Sequence, residues 1–336
     1  MRELLEGASQ RAITYVEALR TRRVSPDTTA MERLAELDMS LPDQGLDPEA
    51  VLRTLDEVGS PATVGSAGSR YFGFVIGGSL PASLAAQWLA AAWDQNGGLK
   101  AASPVSAKLE EVSMRWLLDV LDLPSEASVG FVTGATMANF TALAAARHAV
   151  LRRQGWDVEA QGLFGAPPIT VIVGDEVHVS VLKALSMLGL GRERVIRVPV
   201  DGQGRMRADA LSVKDENTIL CIQAGNVNTG AFDPAREICE IAHGAGAWVH
   251  VDGAFGLWAR ACPSRKSLAE GVEEADSWAT DAHKWLNVPY DSGLAFCRKD
   301  EDLRAAMSAT AAYLLAGETR EPMHYTPELS RRARGV

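Results

Sequence analysis

Two periodicities follow one another along this chain. Near its start Leu4, Leu5, Ala8, Ala12, Tyr15, Val16 and Leu19 recur at three- and four-residue intervals, which lays a single apolar stripe along a helix. Asp47-Pro48-Glu49 ahead of Val51, Leu52 and Leu55 supplies a capping side chain, a proline at the first helical position and an early acid, so another helix is predicted there. Residues 59–78, rich in glycine and small side chains, read as a loop region, and helices are predicted over about 81–93 and 104–121. From residue 129 the pattern changes. An alanine-rich helix over 136–153 is followed by short unbroken apolar runs, ITVIV at 169–173, VIRV at 195–198 and TILCIQ at 218–223. The series continues with AWVHV at 247–251, SWAT at 277–280 and GLAFC at 293–297, with helical stretches at 181–188 and 234–243. Apolar runs without alternation suit strands covered on both faces. Strands alternating with helices predict an α/β fold, a mostly parallel sheet flanked by helices.

The expected organisation is an N-terminal helical segment over 1–60, a large domain over 61–310, and a loop with the start of a further region over 311–336. Residues 327–336 read as a helix only just begun, so the chain is expected to be truncated there, with Arg331-Arg332-Ala333-Arg334 on a solvated helix face.

Composition narrows the partners. The 336 residues are 47% hydrophobic and 23% charged, with a net charge of −10, which offers a polyanion little attraction and sets nucleic acid aside. Cys221, Cys239, Cys262 and Cys297 are widely spaced, which argues against a disulfide framework and against a zinc site. The opening residues carry acids where a signal peptide needs a basic region, and the most apolar helix, 84–93, is too short to span a bilayer. A cytoplasmic protein with no metal and no membrane segment is expected.

Ligands of open α/β sheets bind beyond the carboxyl ends of the strands. Those ends lead into Gly174-Asp175-Glu176-Val177-His178, Ala224-Gly225-Asn226, Asp252-Gly253-Ala254 and Asp281-Ala282-His283-Lys284. Each residue has a plainer reading alone: Asp252 as a turn former, Lys284 as a surface cation, His178 as a satisfied core histidine. In this order, at successive strand ends, they form a more specific pattern. A dinucleotide fingerprint needs strand, glycine turn and helix; Gly244-Ala245-Gly246 lies in the reverse order, and Gly202-Gln203-Gly204 lacks the third glycine.

Asp281-Ala282-His283-Lys284-Trp285, His250-Val251-Asp252-Gly253-Ala254-Phe255 and the segment around His178 resemble the group II pyridoxal-phosphate decarboxylases, which include the aromatic amino acid and glutamate decarboxylases. The resemblance covers residues 60–336. It implies the large domain of the aspartate-aminotransferase-like fold, a homodimer, and pyridoxal 5′-phosphate as cofactor. It implies α-decarboxylation of an L-amino acid, with an imine on Lys284 and a quinonoid intermediate. In that reading Asp252 pairs with the pyridine nitrogen, His178 stacks on the ring, and Ala254 packs against its other face. Ala135 and Thr136, behind Thr133-Gly134, would hold the phosphate at a helix N-terminus, joined by Ser277 and His283, while Asn226 would touch the ring or its substituent oxygen. Phe74 and Val75 would line the substrate pocket.

Three departures qualify the resemblance. Asp281 stands where many relatives carry Asn, and a carboxylate there would repel a phosphate unless it turned away, so it is left outside the expected site. Pro322, in a shortened loop, stands where relatives carry a proton-donating tyrosine, and Tyr325 is out of register. The chain is expected to lack the C-terminal domain of the relatives. An aminotransferase or aldehyde-forming enzyme of the same fold, or an inactive dimerising relative, therefore remain alternatives.

Overall fold

The computed structural model describes residues 1–309 and 320–333. The chain divides into two compact units, Met1–Gly78 and Ser79–Val336. The first holds helices α1 (Arg2–Ala18), α2 (Thr28–Arg33) and α3 (Pro48–Thr54). Asp27 and Asp47 cap α2 and α3, accepting from Ala30 N at 2.8 Å and Ala50 N at 3.0 Å, and so satisfy backbone donors that would otherwise have no partner. Arg11 bridges Glu49 and Asp56 at 2.7 and 3.1 Å. Little of this unit is buried, and none of α1 is.

The second unit carries α4 (Pro81–Trp93), α5 (Pro104–Val120), β1 (Ser128–Val132), α6 (Ala135–Arg153), α7 (Val158–Gln161), β2 (Thr170–Gly174) and α8 (Val179–Met187). There follow β3 (Ile196–Val198), β4 (Thr218–Gln223), α9 (Ala235–Gly244), β5 (Trp248–Asp252), β6 (Ser277–Asp281), β7 (Gly293–Cys297) and α10 (Asp300–Met307). The sheet order is β1-β7-β6-β5-β4-β2-β3. Neighbours from β6 to β3 pair parallel, and β7 alone runs against its two neighbours. This is the predicted mostly parallel α/β sheet.

Every residue of β1, β4, β5, β6 and β7 is buried, which accounts for the absence of an apolar–polar alternation along them. On β5, Val249 and Val251 face the core that holds Ile238 of α9 and Leu117 of α5, while Trp248 faces the core of α6 and α8. Alanines line the buried side of α6, and their small side chains let it lie close on β5, β6 and β7. Strand β1 went unpredicted because SVGFV carries a serine and a glycine; a Cβ on Gly130 would collide with the carbonyl of Tyr325.

The C-terminal expectation is corrected. Residues 327–333 form no helix, and Arg331 is buried, its guanidinium 2.7 Å from the Glu110 carboxylate of α5. A pairing between residues so far apart in the chain leaves no local sequence signal. Arg334 and most of the shortened loop lie outside the described residues. Pro322 opens a 3-10 turn, and Tyr325 is buried, donating to Asp300 at 3.3 Å.

Candidate active site

The shared direction of β1, β2, β4, β5 and β6 gathers their carboxyl ends on one rim. Lys284 follows β6 by three residues, and its Nζ lies 2.9 Å from Asp281 Oδ2. Asp281 Oδ1 accepts the backbone N–H of Ala135, the first residue of α6, at 2.6 Å. Asp281 is 2% exposed, so the residue left outside the expected site sits at its centre and does not turn away. It fills the positive end of the α6 dipole, where a carboxylate is stabilised. Gly134 permits the approach: a Cβ there would meet His283 Cε1 at 3.2 Å and Asp281 Oδ1 at 3.4 Å. Thr136 is half-buried in the same first turn.

His283 belongs to this cluster. Its Nδ1 accepts the Ser292 N–H at 3.0 Å, its Nε2 lies 3.3 Å from Asp281 Oδ1, and its ring stacks on Tyr290 with centroids 4.1 Å apart. Burial pulls the His283 pKa below the usual imidazole value, so the ring is neutral at pH 7.

At the end of the neighbouring strand, Asp252 is 4% exposed and its hydrogen-bond donors are neutral. Asn139 Nδ2 donates to Oδ2 at 3.2 Å, Ser180 Oγ reaches the same oxygen at 3.4 Å, and the Ala254 N–H donates to Oδ1 at 3.2 Å. Burial raises the Asp252 pKa, opposed by the electrostatic influence of His178, by the Ala254 N–H, by the Asn139 amide and by Lys284. His178 caps α8: its Nδ1 accepts the Ser180 N–H at 3.3 Å and lies 2.8 Å from Ser180 Oγ. Ser180 thus joins His178 to Asp252. Neither Asn139 nor Ser180 was among the expected residues, although an amide in an alanine-rich helix and a serine two residues beyond His178 were visible signals.

Other expected residues are placed differently. Ala254 is half-buried, and its carbonyl accepts the Asp281 N–H at 3.0 Å. The Asn226 side chain is committed elsewhere, donating to Glu176 beyond β2 at 2.9 Å and accepting from the N–H groups of Asn228 and Thr229 in its own loop. Ser277 is not brought to the α6 N-terminus. It is the first residue of β6, whereas Asp281 is the last, and four strand intervals are about 13 Å. There it is fully buried and bonded to Trp248 and His250 at 2.9 Å each. Phe74 and Val75 belong to the first unit; Phe74 is 91% exposed, and both adopt left-handed backbone at φ 56° and 51°.

A lysine beside a helix entry, with a buried acid on the adjacent strand, brings an amine, a carboxylate and an anion-favouring helix end to one rim of an α/β sheet. Residues 31–336 match the model of the "Pyridoxal-dependent decarboxylase conserved domain", and the chain belongs to that family. It is 28% identical over 327 residues to an aromatic-L-amino-acid decarboxylase of Bacillus atrophaeus, covering 95% of this chain and 66% of that protein. The enzyme of the same name from Bos taurus is 31% identical over 346 residues, covering 96% and 70%. The chain therefore spans about two thirds of the length of these relatives. Among solved structures, mouse CSAD superposes with a TM-score of 0.87 at 23% identity, covering 99% of this chain and 71% of that one. Oryza sativa TDC with PLP and tryptamine also gives 0.87 at 23%, covering 99% and 72%.

The family's cofactor is pyridoxal phosphate, and the residues at the rim fit it. Asp252 is a buried carboxylate with only neutral donors, which a protonated ring nitrogen would complement. Lys284 offers an amine three residues beyond the strand end, and α6 offers a helix N-terminus for the phosphate. Asp281 occupies that last position, a like charge that a bound dianion would meet.

Proposed function

We propose that this protein decarboxylates an L-amino acid at its α-carbon with pyridoxal phosphate held on Lys284. The observation that carries the reading is the buried Asp252, uncompensated by any bonded cation and within the electrostatic reach of Lys284 and His178. When bound, the cofactor supplies an electron sink for the pair released as the carboxylate leaves. Asp252 would keep the ring nitrogen protonated. Lys284 would hold the carbonyl carbon and yield it to the substrate amine. His178 would cover one ring face and Ala254 the other, while Ala135 and Thr136 would receive the phosphate with His283 beside them.

A homodimer fits the uncovered apolar helices. No residue of α4 is buried, and Trp88, Leu89 and Trp93 on it are 40, 56 and 47% exposed. Among the described residues no helix is long and apolar enough to cross a membrane. A cytoplasmic setting is consistent with free cysteines, three of the four buried.

Borohydride reduction of the protein incubated with pyridoxal phosphate, followed by peptide mass mapping, tests the cofactor site. A phosphopyridoxyl group on Lys284 is the expected result, and its absence from folded protein would overturn the reading. Incubating the loaded protein with amino acids then separates the outcomes. Amine with carbon dioxide supports decarboxylation; a keto acid indicates amino transfer, and an aldehyde with ammonia an oxidative route.

A further inference from the structure

Behind Asp252 runs a line of polar side chains in an otherwise apolar core. Trp248, His250 and Asp252 alternate along β5 and therefore point to one face. The Trp248 indole Nε1–H donates to Ser277 Oγ at 2.9 Å. Ser277 Oγ lies 2.9 Å from His250 Nδ1, and His250 Nε2 lies 2.9 Å from Asn139 Oδ1. Asn139 Nδ2 donates to Asp252 Oδ2 and to Ser180 Oγ, at 3.2 Å each. Trp248 is 1% exposed; Ser277, His250 and Asn139 are wholly buried.

An ionised Asp252 fixes the direction of the bonds. Its carboxylate can only accept, so Asn139 turns its amino group to Asp252 and its oxygen to His250. That oxygen can only accept, so His250 carries its hydrogen on Nε2, and its bare Nδ1 accepts the Ser277 hydroxyl. Ser277 in turn accepts the indole N–H of Trp248. The reverse sense would turn the Asn139 oxygen toward the carboxylate. Burial also pushes His250 down to about 3, so it stays neutral and brings no cation to the line.

We infer that Trp248, Ser277, His250 and Asn139 form a directed thread of positioning residues that holds an amide N–H on Asp252 and so presents Asp252 to the cofactor's ring nitrogen. The inference rests on the pyridoxal phosphate reading. Without His250 nothing in the thread orients the Asn139 amide, which can flip and set its oxygen against Asp252. The carboxylate then loses a donor and becomes a poorer partner for the protonated ring. Around it, His178 at the head of α8, Lys284 beyond β6 and Cys221 on β4 are the titratable groups facing Asp252.

The test uses pyridoxal phosphate labelled with 15N at the ring, bound to wild type and to His250→Leu, His250→Gln and Asn139→Asp. The ring-nitrogen resonance reads protonation directly, and an absorbance titration gives the cofactor Kd. Loss of a hydrogen bond to a charged group predicts that His250→Leu weakens the cofactor about tenfold and moves the resonance toward neutral pyridine. His250→Gln, whose amide N–H can replace the imidazole's, restores both. Asn139→Asp, nearly isosteric, sets a second carboxyl beside Asp252 and adds an ionisation to the pH profile of cofactor affinity that wild type lacks. Unchanged resonance and affinity in His250→Leu together with an unaltered profile in Asn139→Asp would reduce the thread to packing. A wild-type protein with no Lys284 adduct would instead remove the cofactor reading, and this inference with it.

Discussion

Asp252 and Asp281 end adjacent parallel strands and are almost equally buried, yet they are solvated by the protein in opposite ways. Asp252 is met by an amide, a hydroxyl and a peptide N–H, all neutral, and its pKa is raised by burial. Asp281 is met by the Lys284 ammonium at 2.9 Å and by the first N–H of α6. One carboxylate is left short of positive charge, and the other is supplied with it from two sides. Burial alone therefore does not set what an acid can do; the partners do. The first can attract a cation from a ligand, whereas the second competes with a ligand's anion.

The largest effect expected from breaking this contrast comes from Lys284→Ala. It removes the amine that would hold the cofactor and the cation that holds Asp281. Turnover should fall on the order of 10^4-fold or more, and borohydride should leave no label at position 284. Asp252→Asn comes next. It keeps the shape but not the charge, and one of the two accepting oxygens becomes an amino group, so turnover should fall about a hundredfold or more while cofactor Kd rises less than about tenfold. Equal losses in the two quantities would contradict the role given to its charge.

Asp281→Asn sharpens the comparison from the other side. It removes a like charge from the α6 N-terminus while keeping an oxygen for the Ala135 N–H. Cofactor affinity should rise about tenfold by absorbance titration, the opposite direction to Asp252→Asn. The smallest effect concerns pH and the cofactor-free protein. Because the folded pKa of Asp252 is raised, its contribution to stability is complete below the ordinary carboxylate value and is lost as pH rises through the raised one. Asp252→Asn, which cannot ionise, should melt above wild type by about 2–4 °C at pH 7, with the gap narrowing toward pH 4. A gap that does not vary with pH would assign the difference to packing.

Much of this was legible in the sequence because strand ends in a parallel sheet share a rim. Once ITVIV, TILCIQ, AWVHV and SWAT are read as parallel strands, His178, Asp252 and Lys284 must lie along one edge, whereas the entry to α6 follows the unpredicted β1 and came through the resemblance. The electrostatics of that edge were not legible. Asp281 was set aside on charge alone, because the local sequence does not show that α6 begins against it. Ser277 was assigned to the phosphate through the resemblance, and its position at the start of β6 carries it to the far end of the strand. Asn226 looked available because its loop lies at the rim, yet two contacts hold its oxygen to that loop and its amino group is bonded to Glu176 beyond β2. Arg331 read as solvated because its partner, Glu110, is distant in the chain. In each case the missing information was a contact across the fold.

The carboxylate seated on the α6 N-terminus also bears on selectivity between anions. Asp281 acts as a tethered competitor, present at an effective concentration of about the millimolar range or above. Inorganic phosphate or sulfate, which can make ionic contacts only, must displace that internal ligand with nothing further to gain. In the proposed reading a phosphate carried on an aldehyde would recover the loss through its bond to Lys284, so the site would favour anions that bring a carbonyl over those that do not.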